Sequence, residues 1–178
     1  MTHTELNKVF SKIEKQRADL FQRMKGYDEK ILNQCPDENV WSVMEVVEHL
    51  IIAEDSGNQY LKKKTQDKGA AQKVGLKESF RSLILNAYLR SNKKFKAPAT
   101  TLPSHTYRSL AGAETAWRKV RADFSEILQG LPEGHLDKNW FKHPVAGKLS
   151  LKQMMTFIEA HVAHHEKQIE RTLKAMVK

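Results

Sequence analysis

The stretch from Leu149 to Leu173, LSLKQMMTFIEAHVAHHEKQIERTL, decides the fold class and carries most of the chemistry. Ser150 and Gln153 form a capping-box pattern: the serine side chain caps a backbone N–H and the glutamine reaches back, so a helix opens here. Leu149 and Met154 flank the box as a hydrophobic pair. Leu151, Met154, Ile158, His161, His165, Ile169 and Leu173 then recur at spacings of three and four, which is one face of a long helix. Two histidines interrupt that stripe. Residues four apart share a helix face, and imidazoles turned to a core must be satisfied there, because burying unpaired polar groups is costly. Hydrogen bonds to the core satisfy such a pair. So does a shared metal ion, and the same i, i+4 spacing serves H-x-x-x-H zinc sites. His164 points to the flank, towards the faces of Ala160 and Gln168, and is left out of the set.

A second helix is announced in the same way. Ser42 and Glu45 form another capping box, with Trp41 and Val46 as its staple. The stripe Val43, Val46, Val47, Leu50, Ile51 carries it to about Lys64. His49 lies between Val46 and Ala53, at the edge of that apolar face. Two ligands rarely make a tight site, and His49 is the natural third. A lone histidine at a core edge also fits a hydrogen-bonded structural role. If all three bind one ion, at least one coordination position stays open, as in catalytic rather than structural zinc sites.

Three further helices complete the reading. The first runs from Glu5 to about Met24 on Leu6, Val9, Phe10, Ile13, Leu20, Phe21 and Met24, with Gly26 as a stop. Another is expected from Lys77 to Phe95, with Phe80, Leu83, Ile84, Ala87, Tyr88 and Phe95 inward. Another covers Gly112 to Leu128, with Ala113, Ala116, Trp117, Val120, Phe124, Ile127 and Leu128 inward. Gln66 to Gly75 reads as a polar loop and Ala97 to His105 as an irregular connection. Leu131 to Leu149 is expected to be a loop of about twenty residues, functional or packed on itself. Its Trp140 to Gly147 part either lines a site or clasps the start of the last helix. The fold class is all-α: an antiparallel bundle of four long helices plus one, in a single domain over residues 1–178.

Composition narrows the function classes. With 178 residues, the chain can bury a sizeable core without staples. The single cysteine, Cys35, excludes an internal disulfide and favours a reducing compartment. No signal-peptide run or membrane-length apolar stretch is present, so a cytoplasmic location without membrane association is expected. The formal charge of +9 is scattered. Its densest clusters, Lys62-Lys63-Lys64 and Lys93-Lys94-Phe95-Lys96, carry no nucleic-acid motif and read as solvated helix surface. No nucleic-acid partner is expected. Bundles of this size often dimerise through a helix face; nothing in the sequence identifies such a face, so the oligomeric state stays open, with a homodimer as one option.

Two segments carry a family resemblance. WSVMEVVEHLIIAE, from Trp41 to Glu54, and HPVAGKLSLKQMMTFIEAHVAHHEKQI, from His143 to Ile169, resemble the two signatures of the DinB-like (DinB/YfiT-like) superfamily. In that family a tryptophan-serine pair opens the helix bearing the first metal histidine. A His-Pro…Gly…Leu-Ser turn opens the final helix, whose H-x-x-x-H bears the other two. The resemblance maps the ligands to His49, His161 and His165. Lys167 departs from it, standing where many members have a small glycine. The resemblance implies a DinB/YfiT-like four-helix bundle holding one divalent metal, zinc first and nickel, iron or manganese as alternatives. It further implies a small-molecule substrate: some members of the family work with a low-molecular-weight thiol cosubstrate, and many others carry only a metal-dependent hydrolase label. The family name refers to induction by DNA damage and does not imply DNA binding.

The expected reaction centre is then a water or thiol at the open metal position. An ion held by three neutral imidazoles keeps its full charge and makes either ligand more acidic. A thiolate made this way attacks an electrophile, which is S-transferase chemistry. Cys35 has no ligand pattern around it, so the thiol is a second substrate. Hydrolysis needs a general base near the metal. Glu45 is employed by its capping box and Glu48 points elsewhere, which favours the transferase over a metal-dependent hydrolase. A non-catalytic metal-binding stress-response bundle is the third reading.

Overall fold

The structure, a computed structural model, describes residues 2–66, 73–91 and 97–176. Most of the Gln66–Gly75 connection and the whole Lys93–Lys96 cluster, Phe95 included, lie outside these residues. Helices α1 (His3–Met24), α2 (Glu29–Asn33), α3 (Val43–Gln66), α4 (Leu76–Arg90), α5 (Leu110–Gln129) and α6 (Leu151–Met176) make up most of the described chain. A two-stranded antiparallel hairpin, β1 (Asn139–His143) and β2 (Gly147–Ser150), precedes α6. The four long helices pack round a ring in the order α1, α6, α3, α5, and α4 lies along the outside of α6. This is a four-helix bundle with additional elements.

Local signals set the helix starts. Thr2 and Glu5 cap each other's backbone at the head of α1. Ser42 N–H donates to Glu45 Oε2 at 2.7 Å, and Glu45 N–H to Ser42 Oγ at 3.2 Å. Ser150 and Gln153 repeat the pattern at α6, at 2.9 and 3.3 Å. Each cap contributes about 1 kcal/mol. More important for function, the caps fix where α3 and α6 begin and so which way their histidines face.

The core joins one buried face from each long helix. Leu6, Ile13, Leu20, Phe21 and Met24 of α1 meet Trp117, Phe124 and Leu128 of α5, and Phe21 lies edge-on to Trp117 at 5.9 Å. One charged network is buried among them. The Glu54 carboxylate accepts hydrogen bonds from Trp117 Nε1 at 3.0 Å and from the Arg121 guanidinium. Arg121 also reaches Glu14 of α1 at 3.3 Å. Removing one partner of such a pair strands a buried charge, so the network ties α3, α5 and α1 to one arrangement.

Two expectations are corrected. The Leu131–Leu149 segment is not irregular: it holds a short 3-10 turn, Glu133–His135, and then the hairpin. Phe141 pairs with Leu149 and His143 with Gly147, whose φ of +80° a side chain would strain. Trp140 is 5% exposed and its Nε1 donates to the His135 carbonyl at 2.6 Å, so it clasps the segment onto the core.

The second correction concerns α4, which ends at Arg90 and presents the opposite face to the bundle. Ser82, Leu85, Asn86 and Leu89 are buried, whereas Phe80, Leu83 and Ile84 are 65%, 68% and 53% exposed. Ala87 is exposed and Tyr88 half-buried. The physical reason is that α4 carries two apolar stripes on opposite sides. Periodicity reveals both but not which one is covered. Leu85 and Leu89 pack with Ala146, Leu149 and Ala160, where small residues on the hairpin and α6 allow close approach.

Candidate metal centre

His49 comes from α3, and His161 and His165 from α6, which packs beside it. His161 Nε2 lies 3.3 Å from His49 Nε2 and 3.1 Å from His165 Nε2. One ring nitrogen from each falls within 4.8 Å of the others. His49 and His165 are 4% and 7% exposed, while His161 keeps some accessible surface.

The outer ring nitrogens determine the state of the inner ones. His49 Nδ1 lies 2.8 Å from the Thr101 carbonyl oxygen, which can only accept, so Nδ1 carries the proton and a neutral ring leaves Nε2 bare. His165 Nδ1 lies 2.8 Å from Gln168 Oε1, and the same reasoning leaves its Nε2 bare. Burial holds both rings below the ordinary histidine range, and His165 is pushed down to about 3. His161 is pushed well down by burial first and then by the neighbouring imidazoles. Two bare lone pairs therefore converge on a third ring that can donate to only one of them. A shared cation resolves that conflict. Zinc–nitrogen bonds of about 2.0–2.1 Å at tetrahedral angles put donor atoms about 3.3 Å apart, close to the spacing found. The donor set fits a borderline transition metal, and three ligands leave room for a fourth.

The surroundings are aromatic on two sides. The Trp41 ring lies 5.2 Å from His49. Phe157 stacks on His161 at 5.2 Å, with planes 15° apart. His143, from the end of β1, lies edge-on to Phe157 at 4.6 Å. Its Nδ1 accepts backbone N–H bonds from Val145 and Ala146, both at 3.1 Å. Burial pushes His143 down to about 4, so near neutrality it is an uncharged ring with its proton on Nε2. It can donate there and has no free lone pair to act as a base.

The sequence-predicted trio is thus brought together by two packed helices. His164, set aside from it, is buried under α4 with Nδ1 3.0 Å from the Leu89 carbonyl. Glu45 remains in its capping box and also accepts a hydrogen bond from Cys35 at 3.2 Å. Partial burial raises the Cys35 thiol, and that hydrogen bond raises it further, so Cys35 is no ready thiolate. Sequence reasoning missed the Thr101 carbonyl, Gln168 as the partner of His165, and the wall formed by Phe157 and His143. Only Gln168 had an available signal, because i, i+3 spacing from His165 puts it within reach. A groove of about 280 Å³ between α1 and α6, lined by Leu20, Tyr27, Glu166 and Leu173 among others, includes none of these residues.

Fold and site together define a helical bundle with a three-histidine cluster between two core helices. The chain belongs to the DinB superfamily, whose family model matches residues 12–169. It is 27% identical over 154 residues to the uncharacterized protein YuaE of Bacillus subtilis strain 168, covering 86% of this chain and 90% of that protein. Its fold is similar to that of YfiT from Bacillus subtilis, described as a probable metal-dependent hydrolase with an unusual four-helix bundle topology. That match has a TM-score of 0.61 at 16% identity and covers 99% of this chain and 90% of that one. No helix among the described residues is long and apolar enough to cross a membrane.

Proposed function

We propose that this protein is a metal-dependent enzyme that holds one divalent transition ion, zinc first, on His49, His161 and His165. We further propose that it joins a low-molecular-weight thiol cosubstrate to a small electrophile. The observation that carries the reading is the convergence of three uncharged imidazole nitrogens at 3.1 and 3.3 Å, two of them bare. An ion bound there supplies Lewis acidity that lowers the pKa of a coordinated water or thiol. The protein's own residues do the rest. Trp41 and Phe157 shield the imidazoles from water on two sides. Thr101 and Gln168 hold the rings in the ligating tautomer. His143 offers an uncharged N–H donor to an acceptor group on the substrate.

Thiol transfer is favoured over hydrolysis because the candidate bases on the described helix α3 and hairpin are already engaged. Glu45 and Glu48 are both engaged by hydrogen bonds, and His143 Nδ1 is occupied. Metal-dependent hydrolysis is the second reading, supported by the description of the structurally similar YfiT. The test is elemental analysis followed by turnover assays. Metal-loaded protein is incubated with a halogenated arene and a panel of thiols, and separately with esters and amides. Thiol-dependent turnover supports the transferase, and thiol-independent ester or amide cleavage supports the hydrolase. Stoichiometric metal without either activity points to a binding module. Protein without metal, or His161→Ala retaining it fully, overturns the site.

A further inference from the structure

Glu48 follows the metal-site helix one position before His49, yet its side chain turns away from the cluster. It is 1% exposed. A single carboxylate oxygen, Oε1, accepts from the Ser104 backbone N–H at 3.1 Å, the Ser104 hydroxyl at 2.9 Å and the Thr106 backbone N–H at 3.1 Å. Those donors sit on the irregular connection between α4 and α5. Within them His105 has a φ of +59°, a conformation costing a non-glycine residue about 1–2 kcal/mol, so outside contacts hold this segment in shape.

Three residues upstream, the same connection supplies the Thr101 carbonyl that accepts from His49 Nδ1 at 2.8 Å. The link between the two points is stiff. Leu102 precedes Pro103 and is extended, at φ −68° and ψ 138°. Thr101 itself closes a 3-10 turn by donating its N–H to the Pro98 carbonyl at 3.0 Å. Anchoring Ser104 and Thr106 therefore fixes where the Thr101 carbonyl stands. Both ends of the clasp belong to one helix: Glu48 pins the connection to α3, and the connection in turn orients the next residue of α3.

We propose that Glu48 is the positioning residue for His49: by clamping residues 104–106 it places the Thr101 carbonyl, which fixes His49 with Nδ1 protonated and Nε2 bare towards the cluster. The proposal rests on reading His49 as a metal ligand. A buried anion serves here because it gathers three donors at one point, and hydrogen bonds to a charged acceptor are stronger than neutral ones.

The test compares Glu48→Leu, Glu48→Gln and the milder Ser104→Ala, with Thr2→Ala as a control that weakens the bundle at the cap of α1, which carries none of the three histidines. The first readout is the nitrogen-15 signature and exchange protection of the His49 imidazole in metal-free protein. The second is zinc affinity by chelator competition, with the Co(II) absorption spectrum beside it. Glu48→Leu should abolish the protected Nδ1–H signal and weaken zinc binding 10–100-fold, the range for residues that orient ligands. Glu48→Gln, which keeps an acceptor oxygen, should recover most of both, and Ser104→Ala should fall between. Thr2→Ala should lower stability and move neither. If Glu48→Leu folds and keeps both the Nδ1–H signal and zinc affinity within twofold, the proposal is overturned. If it does not fold, an Nδ1–H signal and affinity unchanged in Ser104→Ala overturn it instead. Should wild type bind no metal, the enzyme reading fails, while the imidazole signal still decides the role of Glu48.

Discussion

His161 Nε2 and His165 Nε2, one turn apart on α6, lie 3.1 Å from each other although His165 Nε2 bears a lone pair and no proton. His161 can donate to it only by turning no proton towards His49, whose Nε2 is also bare at 3.3 Å. A cation between the rings removes the conflict. His161→Ala and His165→Ala should therefore each weaken zinc binding by more than about 100-fold, beyond what residues that merely orient ligands cost. Both proteins should stay folded, and chelator competition with far-UV circular dichroism checks both halves of the expectation.

Metal-free protein should lose stability below neutral pH. The His143 and His165 rings are held at about 4 and about 3, against 6.5 for a free histidine. The unfolded chain therefore binds more protons than the folded one across this interval. Stability is fully present above about pH 6.5 and is lost as pH falls towards the folded values. Each histidine contributes a slope of up to about 1.4 kcal/mol per pH unit. Urea titrations in chelator at pH 7, 6 and 5 measure it, and a flat profile would contradict the buried, uncharged rings.

His143 should matter to turnover and not to metal loading. Replacing it with leucine removes one N–H donor next to the Phe157 wall, worth about tenfold in kcat/KM for an ordinary hydrogen bond. His143→Gln keeps a donor and should restore part of the loss. Zinc content should be unchanged in both. Reduced zinc content in the leucine variant would instead make His143 part of the metal's own environment.

The two faces of α4 should respond in opposite ways to substitution. Leu85, 7% exposed against Ala146, Leu149 and Ala160, should cost about 2–5 kcal/mol as Leu85→Ala. Leu83, 68% exposed, should cost under about 0.5 kcal/mol as Leu83→Ser. Chemical denaturation of the two variants distinguishes this packing from the reverse one expected from the sequence.

In the buried network, Glu54→Ala leaves Arg121 with Glu14 alone and Trp117 Nε1 without its acceptor, and should destabilise by up to about 3 kcal/mol. Arg121→Met with Glu54→Leu should recover much of that loss, because a well-packed apolar pair removes both charges together. Thermal unfolding of the single and double variants measures the difference.

Local sequence was sufficient for the starts of the two histidine-bearing helices, though not for the short helix α2 or the end of α4. Ser42 with Glu45 and Ser150 with Gln153 mark the starts of α3 and α6 because capping satisfies backbone donors within one turn. From those starts a 3.6-residue repeat turns His161 and His165 to one face and His49 to the edge of another. Tertiary structure alone decided what depends on contacts between distant segments. Which stripe of α4 is covered follows from the small residues opposite it. The hairpin forms because strand pairing joins residues whose turn and register no helical period reports. Thr101 faces His49 because Glu48 clamps the connection that carries it, 52 residues away in sequence from the ring it orients. Hydrogen bonds of that reach leave no periodic trace in a sequence, so the three histidines were legible and the groups that aim them were not.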